Sequence, residues 1–497
     1  MNTMKRTLTL FIIGVLIFCG AKTKAQSVPL TLERAIEIAH SRSPQVQMTQ
    51  LNFMAQYWSY RSYKAQLLPS LNLRGNLANY NRSLTEVIDP DNGRKHYVAV
   101  NSMNNQLEVS IDQRIPFTGG TISLNTSLDR LDQFDYDSQI YSSNPLTLRY
   151  RQPLRAFNDL KWQKKTEPLR YETAKRVYLE AMEDITLRTS MQFFSVLSMQ
   201  TLHQKNLDNL EDTRQMYEVA KKRSEIGTVT HTELLQLELA LMNAELAASN
   251  SRTDLEIAQF DFKMFLGLSD ETVFRFVAPT VTPEVVLNYD FVLSKALENS
   301  SQNMSLQLKE LESQKSVAEA KALRGLQMEL SANVGFSQSG ENFKDAYRRL
   351  KDQEIVGISL SMPIYDWGMS KGKVRMAQAQ ARLTRTQNEQ EVVKYQQDIR
   401  VKVMKFNQQG WQCEISKKAL NVAQQRYEMT KARFQNGGIT VTDLNTAQKE
   451  LDDASNQYIS NIGAFWNAYY ELRKMTLYDF IAQKDICVEF DKIIDQE

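Results

Sequence analysis

The chain has 497 residues, and its 60 Lys and Arg nearly balance its 58 Asp and Glu, so that the formal net charge is +2. This balance gives no sign of the clustered basic surface that nucleic-acid binding requires, and we expect no nucleic acid as a partner. Only 18 Gly and 11 Pro are present, which favours long helices, and the length allows either several domains or one long repeated architecture.

Residues 1–25 have the pattern of a signal peptide. Lys5 and Arg6 precede the apolar run Leu8–Phe18, which has the length of a signal-peptide core and is too short for a membrane span. We predict cleavage after Ala25, while the alternative, lipidation of Cys19, is disfavoured by the bulky residue before it. No later apolar run is long enough for a transmembrane helix, so any membrane crossing is expected to be made by strands.

The mature chain begins with two predicted helices. Thr31 is expected to cap a helix from Leu32 to about His40, and Pro44 to open a longer helix that ends near Gln66. Four alternating segments follow, with apolar side chains on one face and polar or charged ones on the other. This alternation predicts strands at Leu71–Leu77, Gln106–Ile115, Thr121–Leu128 and Leu146–Gln152.

These strands have two interpretations. A membrane β-barrel uses strands of about 10 residues with an apolar outer face and a polar inner face. A soluble sheet instead buries its apolar face in a core. The export signal and the charged residues on the second face favour the barrel.

The strands are followed by a very long predicted helix, from about Asn158 to Glu225, or about 100 Å at 1.5 Å per residue. After a break at Gly227, another helix is predicted from about Thr232 to Leu266. Its heptad seam implies packing against another helix, and consists of Leu234, Leu237, Leu241, Ala244, Ala248, Ser251, Leu255, Ala258, Phe262 and Phe265. The next segment, Ser269–Tyr289, is expected to be irregular.

The second half repeats this plan. The predicted elements are helices at Phe291–Asn299 and about Met304–Leu323, strands around Leu330–Phe336 and Val356–Met362, and a long helix from about Gly372 to Gln435. A returning helix carries a second seam, formed by Leu444, Ala447, Leu451, Ala454, Tyr458, Asn461, Phe465, Ala468 and Leu472. The early helices repeat at an offset near 260 and the later elements at about 210, so the first half carries an insertion of about 50 residues. The inserted strand pair, within Gln106–Leu128, either joins the wall of the barrel or forms an elaboration outside it. Its alternation resembles that of the other strands and favours the barrel wall.

The best-matched part of the repeat is a helical hairpin. Tyr217–Leu241 and Tyr427–Leu451 align without a gap. In each copy a glycine ends the first helix and a threonine with a following acid is expected to cap the next, at Gly227 with Thr232-Glu233 and at Gly437 with Thr442-Asp443. We therefore predict a signal peptide at 1–25, structural repeats at 26–290 and 291–478, and a tail at 479–497.

Closing a barrel from such strands requires several chains. Two strands from each half, or a few more, cannot enclose a lumen, and an open sheet edge in lipid leaves backbone groups unpaired. Several copies must therefore pool their strands.

The duplicated hairpin resembles that of the TolC family of outer-membrane efflux channels. Its pattern R-x-x-x-G-x-x-T-x-T-[DE]-L occurs at Arg223–Leu234 and Arg433–Leu444, and the LLPSL of Leu67–Leu71 and the strand-to-helix prolines Pro153 and Pro363 also match. The resemblance spans essentially the whole mature chain. It implies an α+β membrane protein with two structural repeats per chain. A homotrimer would share one transmembrane β-barrel, typically of about 12 strands, continued by a long antiparallel α-helical coiled-coil tunnel in the periplasm.

The resemblance also implies a function, that of a passive exit duct for small molecules in the outer membrane. Its partners would be outer-membrane lipid, a periplasmic adaptor (membrane fusion protein) and an inner-membrane pump. The hairpin tips would dock the adaptor through Arg223, Gly227, Thr230, Thr232, Arg433, Gly437, Gly438, Thr440 and Thr442. Glu233 and Asp443 would face the lumen as a gate, or would serve only to favour the N-termini of their helices.

No pattern points to catalysis, a metal or a cofactor. The four histidines, His40, His96, His203 and His231, lie at no metal-ligand spacing, and no phosphate-binding loop or nucleophile elbow occurs. We therefore expect no enzyme, and the energy for transport must come from a partner. Two alternatives stay open: the outer-membrane duct of a type I protein secretion system, and a periplasmic coiled-coil scaffold with a soluble β-domain and no pore.

Overall fold

The structure, a computed structural model, describes residues 28–88, 93–226, 229–269, 274–279, 283–435 and 441–495. The predicted signal peptide (1–25) and the predicted tip residues Gly227, Gly437, Gly438 and Thr440 lie outside these ranges. The contacts divide the chain into two units. A helical unit consists of residues 1–52, 177–300 and 395–497, and a sheet unit of residues 53–176 and 301–394. Each unit thus draws on both halves of the sequence.

The helices agree with those predicted, with ends shifted by a few residues. They are α1 (Leu32–Arg42), α2 (Pro44–Gln66), α3 (Asp159–Glu225), α4 (His231–Leu266), α5 (Tyr289–Asn299), α6 (Ser301–Arg324), α7 (Met369–Gln435), α8 (Val441–Thr476) and a short α9 (Phe490–Ile494). The long helices α3 and α7 each have 67 residues, and α4 and α8 each have 36. Among the helices of the described ranges, none is both long and apolar enough to span a membrane.

The strands of the sheet unit form one antiparallel sheet. They are β2 (Ser70–Ile88), β3 (Lys95–Arg114), β4 (Thr121–Gln133), β5 (Ser138–Arg155), β7 (Gln327–Gly340) and β8 (Lys351–Ser361). Their order is β2-β3-β4-β5-β7-β8. The inserted pair, β3 and β4, therefore lies inside the sheet between β2 and β5 and is not an outer elaboration of it. Both outermost strands, β2 and β8, have a neighbour on one side only in this sheet.

The segment predicted to be irregular contains a short strand that the sequence analysis missed. The strand β6 (Phe274–Phe276) pairs in parallel with β1 (Val28–Leu30). Phe276 lies with its ring centroid 5.3 Å from those of both Phe193 and Phe262, in the main core of the helical unit. A three-residue strand is too short for its alternation to be recognised in the sequence. Its pairing could not be deduced either, because the partner strand lies far away in the sequence.

Both heptad seams are confirmed within the helical unit. Leu237, Ala244, Ala248, Ser251 and Phe262 of α4 are buried, as are Leu444, Ala447, Asn461, Phe465 and Leu472 of α8. Small residues in the α4 seam let its neighbours approach closely. The buried seams thus hold α4 and α8 against the neighbouring helices of the helical unit. The first turns of α4 and α8 belong to the candidate site.

Candidate functional site

The first turn of α4 is held by a capping box at Thr230. The Thr230 hydroxyl accepts a hydrogen bond from the Glu233 backbone N–H at 3.3 Å, and the Glu233 carboxylate accepts one from the Thr230 backbone N–H at 2.9 Å. This bond from the Thr230 backbone lowers the pKa of the Glu233 carboxyl below its ordinary value. The prediction that Thr232 caps this helix is wrong, because the box needs its acid three residues after the cap. Thr232 is the second residue of α4.

The prediction for the second tip, that Thr442 caps the returning helix, is wrong in the same way. The helix α8 begins at Val441, so Thr442 lies inside the helix and is not its N-cap. The backbone carbonyl of Thr442 accepts a hydrogen bond from the Thr446 hydroxyl at 2.8 Å. Asp443 is an exposed acid in the first turn of α8, where a negative charge suits the positive end of the helix dipole.

Two adjoining cavities, which we call the tip groove, lie where the two hairpins meet. One, of about 270 Å³, is lined by residues of α3 (Asp212, Met216, Arg223), α7 (Lys431, Phe434) and α8 (Leu444). The other, of about 770 Å³, shares Met216, Arg223 and Phe434 and adds Val229, Glu233, Leu237, Thr442 and Asn445. The lining of the groove is therefore mixed, with apolar side chains such as Met216 and Phe434 beside about as many polar and charged ones.

The groove brings together predicted tip residues from both copies of the hairpin. Arg223 and Glu233 of the first copy and Thr442 of the second line the larger cavity. Arg433 is exposed and lines neither cavity. Thr230 and Thr232 are also exposed, so the tip residues divide between the groove and the surface next to it.

A polar link that sequence reasoning missed lies beside the tip groove. The carboxylate of Asp212 on α3 accepts a hydrogen bond from the hydroxyl of Tyr427 at 2.6 Å and forms an ion pair with Lys431 at 2.9 Å, both on α7. Tyr427 and Lys431 are four residues apart and therefore share one helix face, which was a signal for a common partner. Their partner could not be deduced, since Asp212 lies outside the duplicated stretch.

The sheet has the reverse of the burial seen in a soluble sheet. Its apolar face is exposed, with Leu71, Leu73, Leu107, Ile122, Leu148, Val334, Val356 and Leu360 among its members. On its polar face the small residues Ser110, Ser123, Asn125, Ser127 and Thr147 are buried, while arginines such as Arg74 and Arg151 are exposed. A sheet in water places its apolar side chains against a core, so this arrangement suits an apolar medium on the exposed side.

Two helices of the helical unit carry a second apolar stripe, which is exposed. On α4 it consists of Leu235, Leu239, Met242, Leu246, Ile257, Phe260 and Met264. On α7 it consists of Val401, Met404, Trp411, Ile415, Val422 and Met429. The steps within the α7 stripe fit a heptad repeat, and those of the α4 stripe fit one except for the 11-residue step from Leu246 to Ile257. Such spacing is the pattern of a helix that packs against a partner helix. For α4 the sequence pattern predicted the buried seam but not this exposed stripe, and for α7 no stripe was predicted.

The described residues contain no group of three or more His, Cys, Asp or Glu side chains placed to hold a metal ion. The two described cysteines are free, Cys413 being buried and Cys487 exposed. Burial raises the pKa of the Cys413 thiol to about 11, which keeps it protonated and unreactive at neutral pH.

Comparisons with known proteins point to one family. The family model described as "Outer membrane efflux protein" matches residues 35–268 and 292–476. No curated protein sequence matches the chain. Among solved structures, the chain is similar in fold to the CmeC outer membrane channel of Campylobacter jejuni, with 13% identity, a TM-score of 0.66 and coverage of 94% of this chain and 88% of that chain.

Two further solved structures are similar over nearly their whole length. One is the outer membrane protein VceC of Vibrio cholerae, with 14% identity, a TM-score of 0.62 and coverage of 90% of this chain and 95% of that chain. The other is the open state of the MtrE outer membrane channel of Neisseria gonorrhoeae, with 13% identity, a TM-score of 0.59 and coverage of 94% and 95%.

Proposed function

The chain belongs to the outer membrane efflux protein family and acts as an outer-membrane channel for efflux, and we propose that it does so as a homotrimeric, passive exit duct for small molecules. In this proposal an inner-membrane pump supplies the cargo and the energy, and a periplasmic adaptor joins the pump to the duct. The chain itself performs no chemistry.

The observation that carries the proposal is the sheet with its apolar face exposed and its small polar residues buried on the other face. In lipid, an apolar outer face is favourable, while every unpaired backbone group at an open edge costs several kcal/mol. The edges at β2 and β8 must therefore pair with strands of other copies. Three copies of the six-stranded sheet would close with about 18 strands, in the size range of porins, which enclose an aqueous channel. This departs from the about 12 strands that the resemblance implies, because β3 and β4 add two strands to each copy.

The exposed stripes on α4 and α7 support the same assembly. Apolar patches of this extent on a soluble surface usually mark an interface. Because each stripe runs along one face of its helix at steps that are mostly three, four or seven residues, the partner that fits it is another helix. A second copy of this chain offers that helix, and a ring of copies would cover every stripe.

We assign adaptor docking to the tip groove. The apolar side chains of Met216 and Phe434 in its lining suit the apolar side chains of a helical hairpin from the adaptor, and Arg223 and Glu233 add charges to the same lining. Residues from both hairpins line the groove, so a docked adaptor would contact both hairpins at once. Its binding would therefore depend on the distance between them. Glu233 and Asp443 remain candidates for a gate at the tip, although the capping box already accounts for Glu233 at a helix N-terminus.

Two measurements on detergent-purified, full-length protein test the proposal. Electron microscopy should show particles with three-fold symmetry, and planar bilayers should show single-channel conductance. A water-soluble monomer without conductance would overturn it, and would restore the coiled-coil scaffold. The exposed apolar face of the sheet argues against that scaffold, because a soluble β-domain would bury it. Accumulation of small toxic compounds in a deletion strain, with normal protein secretion, would distinguish efflux from type I secretion.

A further inference from the structure

The polar face of the sheet holds a cavity rich in arginine. Its volume is about 530 Å³, and it is lined by Arg74 of β2, Arg114 of β3, and Arg149 and Arg151 of β5. Asp112 is the one acid in the lining. We call this the arginine cavity. Its remaining lining includes the small polar residues Ser70, Asn72, Thr121 and Ser123.

The strand register explains how these arginines reach one space. Thr121 is directly opposite Arg114 on one side and Arg151 on the other, and Ser123 is opposite both Asp112 and Arg149. Directly opposed residues of antiparallel strands point to the same face. The short side chains of β4 therefore leave room between longer ones on β3 and β5, and the guanidinium groups border that room.

The acids near the cavity neutralise only part of this charge. Arg74 forms ion pairs with Glu108 at 2.9 Å and Asp112 at 3.3 Å, and Arg151 forms one with Glu329 at 3.2 Å. Asp112 also accepts hydrogen bonds from Asn72 at 2.7 Å and Ser110 at 2.9 Å. Among the residues that the structure describes, Arg114 and Arg149 have no side-chain ion pair or hydrogen bond. Two guanidinium groups thus border the cavity with their donors available.

Other polar side chains on the same face also have no partner among the described residues. The side chain of Asn125, only 4% exposed, has no hydrogen-bond partner for its amide nitrogen or its oxygen, and the hydroxyl of its neighbour Thr147 has none either. The side-chain oxygen of Asn333, directly opposite Arg149, is also unpartnered. Buried polar groups nearly always have a partner, from the protein, from water or from a ligand. These three residues do not line the cavity, and they show that the polar character of the face extends beyond it.

We propose that the arginine cavity is a binding site for anionic groups (carboxylate, phosphate or sulfonate) of water-soluble solutes. Guanidinium groups bind such groups through paired N–H donors, and they do so better than ammonium groups because their geometry matches two oxygens at once. The site lies on the polar face, opposite the apolar side chains that suit lipid, so its ligand is a dissolved anion. If the duct proposed above is correct, the site gives it a preference for anionic cargo, and the binding itself does not depend on the duct.

The test is a binding titration with pyrene tetrasulfonate, followed by its fluorescence polarisation, on the detergent-purified full-length protein. The double variant Arg114→Gln/Arg149→Gln should bind at least about tenfold more weakly than the unaltered chain, since it loses hydrogen bonds between charged groups. The control Arg385→Gln changes an exposed arginine on α7 and should bind as the unaltered chain does. Absence of binding, or equal binding by the double variant, would overturn the proposal.

Channel measurements separate this inference from the proposed function. In planar bilayers with a salt gradient, the reversal potential of the unaltered protein should indicate anion preference, and the double variant should shift it toward cations. Conductance with the same reversal potential in the two proteins would reject the anion preference of the duct but leave the duct itself. Arginine-dependent binding of the dye by a protein without conductance would support the site and reject the duct.

Discussion

The hydroxyl of Tyr427 donates a 2.6 Å hydrogen bond to the carboxylate of Asp212, and so joins α7 of the second hairpin to α3 of the first. Tyr427 is only 8% exposed. Burial, together with the negative charge of its acceptor, raises the pKa of Tyr427 above its ordinary value. The hydroxyl therefore stays protonated and able to donate over the whole physiological range of pH.

Tyr427→Phe removes this donor and keeps the ring. Because hydrogen bonds to charged groups contribute about 1.5–3 kcal/mol, we expect amides of α3 and α7 near the tip to exchange with deuterium about tenfold to a hundredfold faster. Tyr217→Phe is the matched control, since Tyr217 is the counterpart in the first hairpin and makes no side-chain hydrogen bond among the described residues. Equal exchange in both variants would show that the link does not hold the hairpins together.

The capping box predicts a difference between two neighbouring threonines. Thr230→Val removes the acceptor for the Glu233 N–H, and should destabilise the first turn of α4 by about 0.5–2 kcal/mol. Thr232→Val, two residues on, changes no cap and should have little effect. Deuterium exchange of the amides that follow His231 measures both variants. A larger effect at Thr232 would contradict the observed cap.

Gly267 is required for the end of α4. Its φ of 69° is unfavourable for residues with a side chain, and a Cβ would lie 2.7 Å from the carbonyl oxygen of Arg42. Gly267→Ala should therefore lower the thermal midpoint of unfolding, with a loss above about 1 kcal/mol. Gly410→Ala is the control within a helix, where the nearest atom is 3.9 Å away, and it should stabilise by about 0.5–1 kcal/mol.

His40 predicts sensitivity to mild acid in the helical unit. Its ring lies 2.8 Å from the Thr186 hydroxyl, and burial, reinforced by the positive charge of Arg473, lowers its pKa below the ordinary 6.5. Arg473 is itself paired with Glu183 and Asp479. The unfolded chain then binds more protons than the folded one just below pH 6.5, so stability is full above that pH and falls as pH decreases.

The measurement for His40 is the thermal midpoint of unfolding at a series of pH values from about 7.5 to about 5. This interval brackets the model-peptide pKa of histidine, about 6.5. The midpoint of the unaltered protein should fall on acidification. His40→Gln keeps a polar group beside Thr186 and removes the titration, so its midpoint should change less over the same interval. The same slope for both proteins would assign the pH dependence to other groups.

The exposed stripes predict where assembly is most easily broken. Leu239→Glu and Trp411→Glu place charges in the stripes of α4 and α7, and each forfeits about 1.5–3 kcal/mol of side-chain burial per interface. We expect both to reduce the trimer fraction measured by native mass spectrometry in detergent. Asn243→Glu adds the same charge at an exposed position of α4 outside the stripe, and should leave assembly unchanged. Intact trimers in all three variants would reject the stripes as interfaces.

The sequence by itself determined the helices, the strands and the buried seams. Thr31 does cap α1, accepting a hydrogen bond from the Arg34 N–H at 3.3 Å, and Pro44 does open α2. These features depend on periodicity, capping residues and glycine, which act between residues a few positions apart.

Only the tertiary structure decided which of these surfaces are covered and which residues meet. It placed β3 and β4 between β2 and β5, paired β6 with the distant β1, joined Asp212 to Tyr427, and left the stripes of α4 and α7 exposed. It also moved the cap of α4 from Thr232 to Thr230. The physical reason is that a periodic pattern identifies an apolar or polar face but not its partner, because the partner is set by chain folding over hundreds of residues or by another copy of the chain.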